Sequence, residues 1–240
     1  MKLKTLLLAL LLIGTSFASD YHVKPSKTIT KEQITIENFD KIEVSDAFKV
    51  YVTFSDTDNK IVVEANENLH PYVITKISNN KLIVKLKSAA SIKGDMTLMI
   101  HITVPKLQEI ELSNAANMEF TNQLISSNLK VRLSGAASLK GNVSLEEGSF
   151  KINEAANLNL SGKVKTAVIE TNKAAGVDGY NCEVETLKAT LEGASSVKFT
   201  VSKAIEIKAS GASSLNYKGN AIISYSDVSG AAVVKKKQEY

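Results

Sequence analysis

Tryptophan is absent from this chain, cysteine occurs once and proline three times in 240 residues. So few prolines, with only twelve glycines, exclude collagen-like and proline-rich disordered classes. The single cysteine, Cys182, allows no internal disulfide. His22, His70 and His101 all lie far from it in sequence, so it reads as a small apolar filler. Charge of one sign is scarce as well. The formal net charge is +4, and the only basic run, Lys235-Lys236-Lys237, reads as a solvated tail and not as a nucleic-acid surface. There is no Asp-rich calcium nonapeptide, no phosphate-cradling glycine loop and no Ser-His-Asp set at a recognisable spacing. No cofactor or metal is expected. What is present is 44% hydrophobic and 22% charged, enough apolar material for a sizeable core.

The N-terminus carries an export pattern. Lys2 and Lys4 precede an apolar run centred on Leu6 to Ile13, and Ser16-Phe17-Ala18 is a small-x-small cleavage site. Residues 1–18 are predicted to be a signal peptide and 19–33 an N-terminal linker. The apolar run is too short to span a bilayer, and no later segment is long enough. The expected address is periplasm, cell surface or medium, with no membrane span after cleavage.

Residues 34–104 alternate with period two. "KIEVSDAFKVYVTF", "KIVVEAN", "YVITKIS", "KLIVKLKS" and "MTLMIHITV" are strand-like, and Asp56 to Asn59, Asn79-Asn80 and Lys93-Gly94-Asp95 supply turns. This half predicts antiparallel strands and hairpins.

From 105 to 240 the chain repeats. Aligned on the first residue of each Ala-Ala or Ala-Ser pair, the anchors are Ala115, Ala136, Ala155, Ala174, Ala194, Ala212 and Ala231, 18 to 21 residues apart. Three positions after each anchor stands an apolar residue: Met118, Leu139, Leu158, Val177, Val197, Leu215 and Val234. The next position is always polar: Glu119, Lys140, Asn159, Asp178, Lys198, Asn216 and Lys235. Before the anchors the alternation resumes, as in Ile110-Glu111-Leu112 and Val131-Arg132-Leu133. Each unit is a strand, a corner of small residues and a second strand. One unit cannot bury its apolar face, whereas a stack of them buries a continuous column. The predicted fold is all-β: a parallel β-solenoid of about seven 19-residue coils. At about 4.8 Å per strand it would be a rod on the order of 34 Å long. The last coil is weak, with Ser226 at an inward position and lysines following. "VSDAFKVYV" from Val44 follows the same grammar around Ala47, so the first half contains an early coil and joins the same body.

At the corners, the anchor alanines are expected to face inward, where crowding between coils excludes larger side chains. Gly135, Gly193, Gly211 and Gly230 precede four of them and permit positive φ. Glu154 and Lys173 stand at the same place and predict either another backbone route or a corner that does not need it. The column Ser113, Ser134, Asn153, Asn172, Ser210 and Ser229, with Glu192 interrupting it, is expected to form a hydrogen-bonding ladder, and is the candidate binding strip. No catalytic residue is assigned. Glu146-Glu147 and Glu183 with Glu185 are local acidic pairs that read as solvated charge. Phe120, Phe199, Tyr217 and Tyr225 could offer sugar-stacking rings but read as packing residues.

The signal peptide, "FDKIEVSDAFKVYVTFSDTDNKIVVEANENL", "LIVKL", "VPKLQEIELSNAANMEF" and repeated "LSGAASLKG" together resemble the head GIN domain family, exported and mostly bacterial proteins described as autotransporter-type adhesins. The likeness covers roughly residues 39 to 234. It implies a β-solenoid-like fold and an extracytoplasmic address, and supplies no catalytic residues. "NEAAN" and "NKAAG" depart from the Ser-Gly-Ala corner, which weighs against a uniform ligand strip there. The expected role is non-enzymatic, adhesin-like binding of a polysaccharide or surface protein. A carbohydrate-active β-helix enzyme and a structural envelope component are the alternatives. An open solenoid end or edge also makes a homo-oligomer an expectation.

Overall fold

The computed structural model describes residues 22–35, 38–87 and 91–238; the predicted signal peptide and the start of the linker lie outside them. The strands in chain order are β1 (Ile29–Ile34), β2 (Lys41–Val44), β3 (Lys49–Phe54), β4 (Lys60–Asn66), β5 (Val73–Ser78), β6 (Lys81–Leu86), β7 (Leu98–Val104), β8 (Glu109–Leu112), β9 (Asn117–Leu133), β10 (Ser138–Glu154), β11 (Asn157–Lys173), β12 (Gly176–Leu191), β13 (Ser196–Ala209), β14 (Ser214–Lys218), β15 (Ile222–Val228) and β16 (Val233–Lys236). The only helical turn among the described residues is a 3-10 segment at Glu67–Tyr72.

From β8 onward the chain winds as a parallel β-solenoid. Each long strand runs from one corner to the next, and pairs in parallel with the coils on either side. Within a coil the inward residues are regular. In β10 they are Leu139, Gly141, Val143 and Leu145, then Gly148, Phe150 and Ile152 after Glu146 and Glu147 both face out. The stacked inward residues form one continuous core from Phe39 to Tyr217.

The first half contributes two coils. β2 and β3 flank the corner at Asp46-Ala47 and pair in parallel with β8 and β9. Beyond them, β6 and β7 pair in parallel with β2 and β3, although β6 and β7 follow them in sequence. Antiparallel strands cap this end: β1 pairs with β4, β4 with β7, and β5 with β6. The hairpin between β5 and β6 turns through Asn79 and Asn80, both at positive φ, the two-residue turn that favours asparagine.

The corners are stacked β-turns. At the first of them Ala116 N–H donates to Ser113 C=O at 3.2 Å, and Asn114, at the second turn position, has φ 60°. Positive φ at that position alone is the type II′ pattern. Asp46, Glu154 and Lys173 adopt it too, at 67°, 64° and 62°. The expectation that the Glu154 and Lys173 corners take another route is therefore incorrect. The stack dictates the conformation: the anchor amides of Ala174 and Ala194 donate to the carbonyls of Glu154 and Lys173 in the coil before, at 2.9 and 2.7 Å. Local preference yields to this ladder of backbone bonds.

The inward position also differs from the expectation. Ala115, Ala136, Ala155, Ala174, Ala194 and Ala212 are exposed, and the buried residue is the next one: Ala116, Ala137, Ala156, Ala175, Ser195 and Ser213. In a type II′ turn the third residue sits at the tip, so it is the fourth that re-enters the core. Serine is accommodated there because its hydroxyl is bonded; Thr171 Oγ1 donates to Ser195 Oγ at 2.7 Å.

Lysine at positive φ carries a cost of about 1–2 kcal/mol. Lys173→Gly removes it, at the loss of an exposed ion pair to Glu154 at 3.1 Å that adds little stability. The expected outcome is a net gain of roughly 0.5–1 kcal/mol in urea unfolding; a loss of stability would show that the ion pair outweighs the strain.

Candidate binding surface

The corner column of Ser113, Ser134, Asn153, Asn172, Ser210 and Ser229 occupies the first turn position. It is stitched by the backbone: Ser134 N–H donates to Leu112 C=O at 3.0 Å and Ser210 N–H to Leu191 C=O at 2.9 Å. Among the described residues no hydrogen bond joins one of these side chains to another; Asn172 Oδ1 instead accepts from the Lys173 amide at 2.6 Å. The expected side-chain ladder does not form in this column.

A polar ladder does run two positions after the anchors, through Asn117, Ser138, Asn157, Gly176, Ser196 and Ser214. Asn117 Nδ2 donates to Ala115 C=O at 2.8 Å and Asn157 Nδ2 to Ala155 C=O at 3.0 Å. Ser138 Oγ donates to Asn117 Oδ1, and Ser214 Oγ to Ser196 Oγ at 3.4 Å. Sequence reasoning missed this column because Gly176 and Val233 interrupt its chemistry. The register aligns it nonetheless.

Two columns further lies Glu119, Lys140, Asn159, Asp178, Lys198 and Asn216. Together the two columns form a trough along the solenoid axis, of about 390 Å³, built from residues 138–140, 157–159, 176–178, 196 and 198 in four successive coils. Gly176 leaves room for the Asn157 amide, whose Oδ1 would lie 2.5 Å from an added Cβ. Asn159, at its centre, makes no side-chain hydrogen bond among the described residues. Lys140 pairs with Glu119 at 2.7 Å and Lys198 with Asp178 at 3.7 Å.

The other faces are ladders of opposite charge. Lys165 meets Glu146 at 3.1 Å, Lys203 meets Glu185 at 2.6 Å, Lys163 meets Glu183 at 3.8 Å and Lys151 meets Glu170 at 3.3 Å. Opposite charges on adjacent strands favour stacking, and exposed pairs add little stability. Of the expected acidic pairs, Glu146, Glu183 and Glu185 are thus drawn to lysines of neighbouring coils. Arg132 clamps Glu109 and also Glu111, the latter at 2.7 Å. Burial pushes the Glu109 carboxyl up, but the hydrogen bond from Arg132 and the charges of Arg132 and Lys81 leave it below the usual range. Glu64, Glu154 and Glu185 are also lowered; for each, a hydrogen bond from a lysine, Lys31, Lys173 or Lys203, is the largest cause.

Phe199 is fully buried and Phe120 and Tyr217 nearly so, which makes them packing residues; Tyr225 alone of that set is exposed. Cys182 is buried, and burial raises its thiol to about 12, so it is not a nucleophile at neutral pH. A His101–Glu64 pair at 3.0 Å, stacked on Tyr51, was not anticipated from sequence. Among the described residues no cluster of three or more His, Cys, Asp or Glu could hold a metal ion. No described helix is long and apolar enough to cross a membrane.

A stacked, sign-matched β-solenoid with a polar trough defines a class of repeat protein whose long faces present surface and not a closed cavity. The family described as "Putative auto-transporter adhesin, head GIN domain" matches residues 38–221, and the chain belongs to it. Among solved structures, a Bacteroides fragilis protein described as a "putative adhesin" is similar with a TM-score of 0.85, at 18% identity over 90% of this chain and 100% of that one. A Parabacteroides distasonis protein with the same description follows at TM-score 0.73 and 16% identity, covering 90% and 100%. A second P. distasonis protein, described as a "putative lipid binding protein", gives 0.69 and 16%, covering 91% and 100%. At these identities the likeness establishes the fold. No curated protein sequence matches this chain.

Proposed function

We propose that this is an exported, non-enzymatic binding protein that engages a surface polysaccharide or protein through the axial trough. The carrying observation is the run of polar columns across four coils, with the uncommitted Asn159 amide between Lys140 and Asp178. A linear partner can meet a polar group at each coil, about 4.8 Å apart. Its hydroxyls suit amides and ammoniums in an open trough better than a deep cavity would. Membership of the adhesin family supports both the binding role and an extracytoplasmic address.

The rival is a carbohydrate-active enzyme, which needs a carboxylic acid held above its usual pKa beside a second carboxylate. Here the carboxyls that depart from the ordinary range do so downward, each under a cationic neighbour. That supports binding over hydrolysis. A glycan array probed with residues 19–240 should give defined positives, and Asn159→Ala with Lys140→Ala should weaken them by about tenfold while circular dichroism stays unchanged. An array blank for every glycan and for extracted surface proteins would favour a purely structural envelope role.

A further inference from the structure

We propose that the C-terminal end of this face is a binding site for acidic polysaccharide, centred on Tyr180. The proposal rests on the binding reading above and names a ligand class for one end of the same face.

The site arises from an insertion. On one side of β12 the register passes from Asn159/Asp178 to Ser161/Asn181, and on the other from Gly179/Phe199 to Glu183/Thr200. The strand therefore bulges at Tyr180 relative to both neighbours, which re-aims a side chain. The Tyr180 ring is ringed by ammoniums: Lys218 Nζ at 5.0 Å, Lys237 Nζ at 5.3 Å and Lys198 Nζ at 6.0 Å from its centroid. Lys235 and Lys236, expected to be a solvated tail, are instead strand residues of β16. With Lys198, Asn216 and Lys237 they line an open depression of about 620 Å³ beside Tyr180.

Charge is what separates this place from the rest of the solenoid. On the other long faces Lys151, Lys163, Lys165 and Lys203 each meet a carboxylate of an adjacent coil. Here, among the described residues, the only carboxylate within ion-pair distance of these ammoniums is Asp178, 3.7 Å from Lys198. The ammoniums of Lys218 and Lys237 converge on one ring, like beside like, which costs stability unless an anion lies between them. Lys198, Asn216 and Lys235 form one column along the axis, with Lys218 and Lys237 near the same ring, which suits carboxylates repeating along a polymer. Tyr180 offers a ring for a sugar face, and Asn216 an amide for its hydroxyls. Burial and Asp178 raise the phenol, so it remains a neutral hydrogen-bond donor. No aliphatic side chain lines the depression, which disfavours a lipid surface, and a single ring is a poor platform for consecutive nucleobases.

The test is binding of residues 19–240 to polygalacturonate, to the same polymer fully methyl-esterified, to phosphatidylglycerol vesicles and to oligothymidylate. The expected result is salt-sensitive binding to polygalacturonate, about tenfold weaker for the ester and for Lys218→Gln/Lys237→Gln, with Tyr180→Ala also weakened and all variants folded by circular dichroism. Equal binding of acid and ester, an unchanged lysine variant, or a preference for vesicles or oligothymidylate would overturn it. The Asn159→Ala/Lys140→Ala trough variant separates the two readings. If neutral glycans bind through the trough while polygalacturonate does not bind, this inference fails and the binding function stands. If polygalacturonate binds through the lysines but the trough variant changes nothing, the trough reading fails.

Discussion

Phe199→Ala should lower the unfolding free energy by about 3–5 kcal/mol. For a chain of this size, that is a fall in Tm of roughly 6–20 °C. The ring is fully buried and stacks in register on Gly179 of the preceding coil. A Cβ added at Gly179 would lie inside contact distance of Phe199 Cδ1 and Cε1, and 2.8 Å from Cζ. Glycine is there to make room for the ring. Gly179→Ala alone should cost about 1–3 kcal/mol by overpacking, and much of that cost should vanish in a Phe199→Leu background. A coupling energy of about 0.5–3 kcal/mol in the double-mutant cycle would establish the pairing; strict additivity would refute it. Gly141 beneath Phe120 uses the same device, with an added Cβ 2.6 Å from Phe120 Cδ2.

Gly162→Ala should cost about 3 kcal/mol or more, for a backbone reason. Gly162 has φ 101°, outside what an L-residue readily adopts, and it stacks on Val143 of the preceding coil. An added Cβ would run into the Val143 carbonyl oxygen and come within 3.0 Å of Asn142 Oδ1. A side chain can rotate aside, but a carbonyl held in the parallel ladder cannot. Because coils contact only their neighbours, the damage should spread from coils β10 and β11. Hydrogen exchange should show faster opening there than in the β1–β4–β7 cap. Unchanged stability in Gly162→Ala would mean that the coils can slide apart locally at no cost.

Much of this architecture is legible in the sequence. The apolar columns at Met118 to Val234 and the polar column after them specify strands with one buried face, and their common period specifies stacking. The corners are harder to read. "Ala-Ala" does not reveal which alanine faces inward; the serines at 195 and 213, buried and hydrogen-bonded, mark the column only once the turn type is known. Glu154 and Lys173 mislead because propensity argues against positive φ, while the bonds of the neighbouring turns impose it. The polar ladder at 117, 138, 157 and 196 is hidden by Gly176, whose missing side chain makes room for the Asn157 amide. Tyr180 leaves a faint trace: the anchors around it are spaced 20 residues and the next pair 18, the signature of an extra residue in β12. The lysines at 235–237 look like a tail because the residues they stand against, Asn216, Tyr217 and Tyr180, come from earlier coils.

The central claim is that ligand lies along the axial trough. Lysine acetylation with and without a saturating glycan positive tests it directly, because lysines mark every face. Lys140 and Lys198 should lose labelling when ligand is bound, while Lys163 and Lys165, with side chains 77% and 63% exposed on another face, should label equally in both states. Protection of Lys163 and Lys165 with Lys140 left reactive would contradict the account.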